Sequence, residues 1–174
     1  MRMNIGVLCL LASCTTTADT DGADTDPAAT ACPDGLQPTT NAELIATRFR
    51  FDGVDYPVTF DANSNSATAS PACIRDDGSE LYVPIFLDML RFGTLIVRAS
   101  TDVSASLTDS TGSVRILLDG APVAVDIEDG SEWQSGVFTV THPEGGLAVE
   151  IDGLAIPDGH ALSVRLSAEG RPAL

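Results

Sequence analysis

The sequence contains no lysine. Its nine bases are all arginine, set against 25 acids, for a formal net charge of -16. Exclusive arginine use points to a GC-rich coding sequence. The missing basic surplus excludes nucleic acid as a partner, because phosphate recognition needs an Arg/Lys footprint. It equally excludes a domain held on anionic lipid by basic residues. Histidine is nearly absent, with only His142 and His160, and no His-x-x-x-His pair or clustered cysteines suit zinc. No Gly-x-Ser-x-Gly elbow and no glycine-rich loop opening a helix is present, which leaves no motif for a serine hydrolase or a phosphate cradle. Aromatic residues make up 5% of the chain, too few for a surface lined with sugar-stacking rings. The N-terminal apolar run, Ile5–Ala12, falls far short of the roughly 20 residues of a spanning helix.

What is abundant is alternation. From Glu43 onward apolar residues recur with period two, the signature of half-buried strands. Phe49 and Phe51 alternate with Arg48 and Arg50, and Tyr56, Val58 and Phe60 share a face. Leu81, Val83, Ile85 and Leu87 repeat the pattern, as do Val114, Ile116 and Leu118, then Val123, Val125 and Ile127. Phe138 and Val140 oppose Val137, Thr139 and Thr141. Leu147, Val149 and Ile151, then Leu162, Val164 and Leu166, close the series. Asp-Gly pairs at Asp52, Asp77, Asp119, Asp129, Asp152 and Asp158 punctuate these runs and suit hairpin turns. The pattern predicts an all-β, antiparallel two-sheet β-sandwich of about ten short strands, immunoglobulin-like or related, with one dry and one wet face per sheet. A hydrophobic content of 44% is enough for its core, and residues 32–174 form one domain.

The N-terminus reads as an address. Arg2 precedes the short apolar run, and the run ends at Leu11-Ala12-Ser13-Cys14. A basic start, a short apolar region and small residues before a cut describe a secretory signal. The four-residue ending resembles the lipobox of bacterial lipoproteins. The resemblance implies that residues 1–13 are a removed signal peptide and that Cys14 is lipidated, so the membrane is a partner through the N-terminal lipid. Lipid chains contribute about 0.8 kcal/mol per buried methylene, so two or three hold firmly. The leader is short, with a single Arg, which leaves room for a start codon upstream. Thr15 follows the cysteine where lipoproteins of this kind retained at the inner membrane tend to carry Asp, which implies export to the outer membrane of the cell envelope. Residues 14–31 hold no large apolar side chain beyond the cysteine and predict a disordered Thr/Asp-rich tether. Its acids Asp19, Asp21, Asp24 and Asp26 read as solvated, because nothing follows to close a calcium cage. Cys9 leaves with the leader, so Cys32 and Cys73 remain. The oxidising compartment that the leader implies makes them a predicted disulfide.

Chemistry inside the domain concentrates in "DIEDGSEW". Asp126 and Glu128 share a wet strand face, and Asp129 and Glu132 lie across a turn. The cluster reads first as a solvated acidic hairpin. The sharper alternatives are a calcium site, with calcium as the one cofactor in view, and a paired-carboxylate hydrolase using Trp133 as a sugar platform. His142 and His160 flank turn residues and read as surface side chains, leaving no catalytic residue to name. In the C-terminal half, "VRILLDGAPVAV" and Gly159-His160-Ala161-Leu162-Ser163-Val164 resemble strand pairs of bacterial immunoglobulin-like surface modules. The expectation is a lipid-anchored, extracytoplasmic, non-catalytic interaction domain with a protein or polysaccharide partner. Its rivals are a carbohydrate or cell-wall-binding module around Trp133, and a calcium-binding or hydrolytic envelope protein.

Overall fold

Where β-branched and aromatic residues alternate with polar ones, the chain extends and buries one face. In the computed structural model, which describes residues 32–39, 41–62, 71–88, 91–119 and 124–172, thirteen strands follow that rule. They are β1 (Gln37–Pro38), β2 (Glu43–Phe51), β3 (Val54–Asp55), β4 (Val58–Asp61), β5 (Cys73–Ile74), β6 (Glu80–Phe86) and β7 (Phe92–Arg98). Then come β8 (Val103–Ser106), β9 (Val114–Asp119), β10 (Val125–Ile127), β11 (Trp133–Thr141), β12 (Leu147–Ala155) and β13 (Leu162–Gly170). Among the described residues the only helical pieces are 3-10 turns at Leu107–Asp109, Gly130–Glu132, Pro143–Gly145 and Pro157–Gly159. None of the helices there is long and apolar enough to cross a membrane. The leader, Cys14, the tether and Val123 lie outside the described residues.

The strands form two antiparallel sheets, a β-sandwich. One runs β1-β5-β6-β7-β9-β10, and the other runs β3-β2-β13-β12-β11-β8, with β4 also paired to β2. Their inner faces supply the predicted alternating residues. Leu81, Val83, Ile85, Leu95, Val97, Val114 and Ile116 come from the first sheet, and Leu44, Phe49, Val140, Ile151, Leu162 and Val164 from the second. The strand count exceeds the expected ten because β1 and β3 have two residues each, too few for alternation to show, and β8, Val-Ser-Ala-Ser, has only one large apolar residue. Asp52-Gly53 makes the predicted tight turn, both residues taking positive φ (47° and 82°). Asp152-Gly153 does not turn and lies within β12. Gly153 is needed there for a different reason: a Cβ would strike Leu107 and press on the Trp133 ring.

The wet face of the six-stranded sheet is tied by alternating charge. Glu80 lies directly opposite Arg98 and is also bonded to Arg75. Arg98 reaches Glu128 at 3.7 Å, Arg115 meets Glu128 at 3.4 Å, and Arg115 Nε donates to Asp126 at 2.7 Å. Such cross-strand pairs are the usual lateral reinforcement of a sheet. Glu80 is the member with most at stake, with only 9% of its side chain exposed. Burial pushes its pKa up, but the two guanidinium groups outweigh burial and hold it below the ordinary carboxylate value.

Cys32 and Cys73 are joined, with Cα atoms 5.8 Å apart, inside the span a disulfide can bridge. The bond fastens the domain's entry to β5. At the other terminus the Thr39 hydroxyl donates to the Arg171 carbonyl, and Thr39 bridges to Pro172. Replacing Cys32 and Cys73 together by Ser should lower stability by about 3–4 kcal/mol, as loop-closure entropy predicts; a urea midpoint that does not move would contradict this. Glu80→Gln should cost about 2 kcal/mol, since Arg75 and Arg98 lose a shared anion. Arg75→Gln should cost less, because Arg98 still neutralises Glu80. Equal losses in urea melts of the two variants would overturn that ranking.

Candidate functional site

The wet face of the seven-stranded sheet differs from its counterpart. Antiparallel register sets its side chains in rows across the strands. One row reads Thr141, Ala148, Glu169, Glu43 and Asp61, each opposite the next on the neighbouring strand. The next reads Ser104, Thr139, Glu150, Ser167 and Ile45. The third reads Ser106, Val137, Asp152, Arg165 and Arg48. Thr139, Thr141, Ala148 and Ser167 are short side chains between the acids of these rows, and the face is hollow there. Two adjoining depressions of about 380 and 360 Å³ share Thr139, Glu150 and Ser167 and form one trough over β2, β13, β12 and β11.

The trough is electrically lopsided. At one end Asp152 accepts from Arg165 Nε at 2.7 Å and from Arg48 at 2.5 Å. The Arg165 hydrogen bond is the main reason the Asp152 carboxyl stays below its ordinary pKa, with Arg48 adding to it. At the other end Glu169 faces Glu43, and Glu43 faces Asp61. Like charges directly opposite on a sheet destabilise it by some tenths of a kcal/mol up to about 1 kcal/mol. Among the described residues no arginine or histidine pairs with Glu43, Glu150 or Glu169. Two apolar side chains stand exposed beside the floor, Val137 at 58% and Ile45 at 41%.

The residues singled out from sequence fall elsewhere. Asp126, Glu128, Asp129 and Glu132 do not converge on one point. Arg115 grips Asp126 and Glu128, and the Asp129 side chain caps the 3-10 turn at Gly130–Glu132 by accepting from the Ser131 N–H at 2.9 Å. Among the described residues no group of three or more His, Cys, Asp or Glu is placed to hold a metal ion. At this hairpin Asp126 and Glu128 are partners of a cross-strand arginine and Asp129 is spent on its own turn, so the geometry adds no support to the calcium or paired-carboxylate reading. The platform reading of Trp133 is corrected. It is 2% exposed, packed at Gly153 beside Leu107, so its ring offers no sugar platform. Its Nε1 and the Ser110 hydroxyl are buried without a hydrogen-bond partner among the described residues.

Each histidine is held by an aspartate. His160 Nδ1 meets Asp52 at 2.7 Å, and its ring stacks on Phe51. His142 Nδ1 meets Asp102 at 2.9 Å, and its Nε2 meets the Ala99 carbonyl at 2.8 Å. A carboxylate and a carbonyl only accept, so both ring nitrogens of His142 must donate for both bonds to form, which favours the imidazolium. The Asp102 bond accordingly raises the His142 pKa, Ala99 adds to it, and burial opposes both. With Nε2 committed to Ala99, this ring has no free nitrogen to activate a hydroxyl.

No family model, no curated protein and no solved structure matches the chain. The trough itself carries no motif visible in the sequence, because its acids come from β2, β12 and β13, which lie far apart along the chain. Alternation with Val149 and Ile151 places Glu150 on a wet face, but counting by two from Phe49 and Phe51 would turn Glu43 inward. The register shift between β2 and β13 at Thr47 turns it outward and sets it against Glu169.

His142 makes stability depend on pH. Its folded pKa is raised, so its contribution is complete below about 6.5 and is lost as pH rises through the folded value. The melting-temperature advantage of the parent over His142→Gln should therefore be larger at about pH 5.5 than at about pH 9. A gap that stays constant or widens with pH would show that the ring binds Asp102 and Ala99 as the neutral form.

Proposed function

We propose that this chain is a lipid-anchored, extracytoplasmic β-sandwich that acts as a non-catalytic interaction domain of the cell envelope. The trough on the seven-stranded sheet is its contact face. The observation that carries the second half is the trough's make-up: a continuous hollow lined by Ser, Thr and Ala, in which Glu43, Glu150 and Glu169 pair with no arginine or histidine among the described residues. A sheet face that served only as a solvated wall gains nothing from like charges in register, whereas a contact face gains selectivity from them. The anchoring half rests on Leu11-Ala12-Ser13-Cys14 and on the apolar-poor segment after it. The disulfide fits this setting, since such bonds persist in oxidising compartments.

The carbohydrate-module alternative loses its main support with the burial of Trp133. The calcium-binding and hydrolytic alternatives lose theirs with the capture of Asp126 and Glu128 by Arg115.

Cys14→Ser should abolish uptake of a labelled fatty acid and move the protein from membrane to soluble fractions. Parent protein that takes up no label, or a Ser variant that stays with membranes, would refute the anchor. For the contact face, a photo-reactive side chain at Thr139 in the trough should give a discrete adduct in intact cells, while the same group at Tyr82 on the other sheet should not. Adducts at Tyr82 alone would place the contact on the opposite face.

A further inference from the structure

The seven-stranded sheet ends at β8, and the geometry points to this edge as a docking site for an extended, lysine- or arginine-bearing segment of a partner polypeptide. The segment pairs with β8 as an added strand and lays its basic side chains toward the trough. This deepens the interaction-domain reading above and rests on it for the trough's role.

The free backbone of an edge strand is a template for another strand, and proteins ordinarily guard it with charge, proline, brevity or a bulge. The other edges here are guarded. β1 is two residues long and contains Pro38, and β10 has three residues centred on Asp126. β3 is two residues long, and β4 follows Pro57 and ends in Asp61. β8, four residues long, carries no proline, no charged residue within the strand and no bulge. Its sequence is Val-Ser-Ala-Ser, and its register with β11 runs without a shift from Val103 to Ser106. Among the described residues nothing pairs with its outer side.

Charge complementarity selects the occupant. Asp102, with 70% of its side chain exposed, stands immediately before β8. Ser104 and Thr139 then lead along one row to Glu150, and beyond it lie Glu169 and Glu43. The wet-face side chains on β8 are serines, small enough to let a long side chain from an added strand pass over them. Of these carboxylates Glu150 is the one a long basic side chain can approach by lying over Ser104 and Thr139, since Glu169 and Glu43 stand one and two strands farther off at about 4.8 Å each. An acidic side chain there is repelled. A second copy of this chain is disfavoured as the added strand, because each copy carries a net charge of -16. A glycan is disfavoured because the trough presents no aromatic ring. Strand addition supplies backbone hydrogen bonds for affinity, with alternate side chains setting specificity.

The probe is a fluorescent peptide of alternating Lys and Thr, titrated against the lipid-free Cys14→Ser protein by anisotropy. Its controls are a Glu/Thr peptide of equal length and a Lys/Pro peptide that cannot pair as a strand. Binding of the Lys/Thr peptide alone is expected, weakening as salt is raised. Two variants should each weaken it about tenfold or more: Ser104→Lys with Ser106→Lys, which guards the edge, and Glu150→Gln with Glu169→Gln, which removes the attraction. Unchanged melting temperatures would show that both variants stay folded. Equal binding of the Lys/Pro peptide, or full affinity in the edge variant, would overturn strand addition. Equal binding of the Glu/Thr peptide would overturn the charge argument. Sedimentation showing a dimer that the edge variant dissolves would make the occupant a second copy and overturn the proposal. Peptide binding that meets these criteria while the Thr139 photo-adduct fails in cells would leave strand addition standing and remove the cellular role; the reverse would do the opposite.

Discussion

Burial on one side of the seven-stranded sheet dictates what happens on the other. Val164, Leu166 and Ala168 on β13 must face the core together with Leu44 on β2, and a slip of one residue would turn a whole strand's apolar set into water. The pairing of β13 with β2 is therefore locked. With it comes the opposition of Glu169 to Glu43, and the pairing of β2 with β4 adds Asp61 to the same row. Each like-charge pair works against the sheet by at most about 1 kcal/mol. Each buried aliphatic side chain contributes about 1.5–3 kcal/mol relative to leaving it exposed. The core prevails, and the acids stay where it puts them.

The six-stranded sheet shows the same constraint with the opposite result. Its register places Glu80 against Arg98, and Glu128 and Asp126 within reach of Arg115, so its wet face is neutral and closed in on itself. Arg75 and Arg98 share Glu80, and Arg98 and Arg115 share Glu128. A face whose charges are satisfied laterally has little to offer a charged partner. The contrast between the two faces gives the sandwich a direction that neither composition nor net charge conveys.

Much of this was legible in the chain. Period-two alternation placed Leu81, Val83 and Ile85, or Leu162, Val164 and Leu166, on the buried side, because burial of one sheet face is written locally. The two-residue strands β1 and β3 were not legible, since each is shorter than one period of evidence. Asp126 and Glu128 read first as part of a solvated acidic hairpin, with calcium as an alternative because their neighbours in sequence are acidic. Their neighbour in space is Arg115, eleven positions before Asp126 and one strand over. Trp133 read equally as a sugar platform or a buried hairpin anchor, because its neighbours Gly130, Ser131 and Glu132 do not decide between the two. It is covered by Leu107 and by the space that Gly153 leaves in the adjacent strand. The cysteine pair was read from compartment and count alone, and β1–β5 pairing then brings the two ends within bonding distance.

The arginines decide where the excess negative charge is felt. All eight in the described residues are committed to a carboxylate: Arg48 and Arg165 to Asp152, Arg50 to Asp55, Arg75 and Arg98 to Glu80, Arg91 to Asp88, Arg115 to Asp126, and Arg171 to Glu144. The chain has no lysine, and no arginine among the described residues is left over to move toward the acid end of the trough. Counter-ions from solvent must balance Glu43, Glu150 and Glu169, and they screen them over about 8–10 Å at ordinary ionic strength. A basic strand at the β8 edge would release ions around Glu150, the nearest of the three to that edge, while Glu169 and Glu43, on β13 and β2, lie beyond the screening length from it.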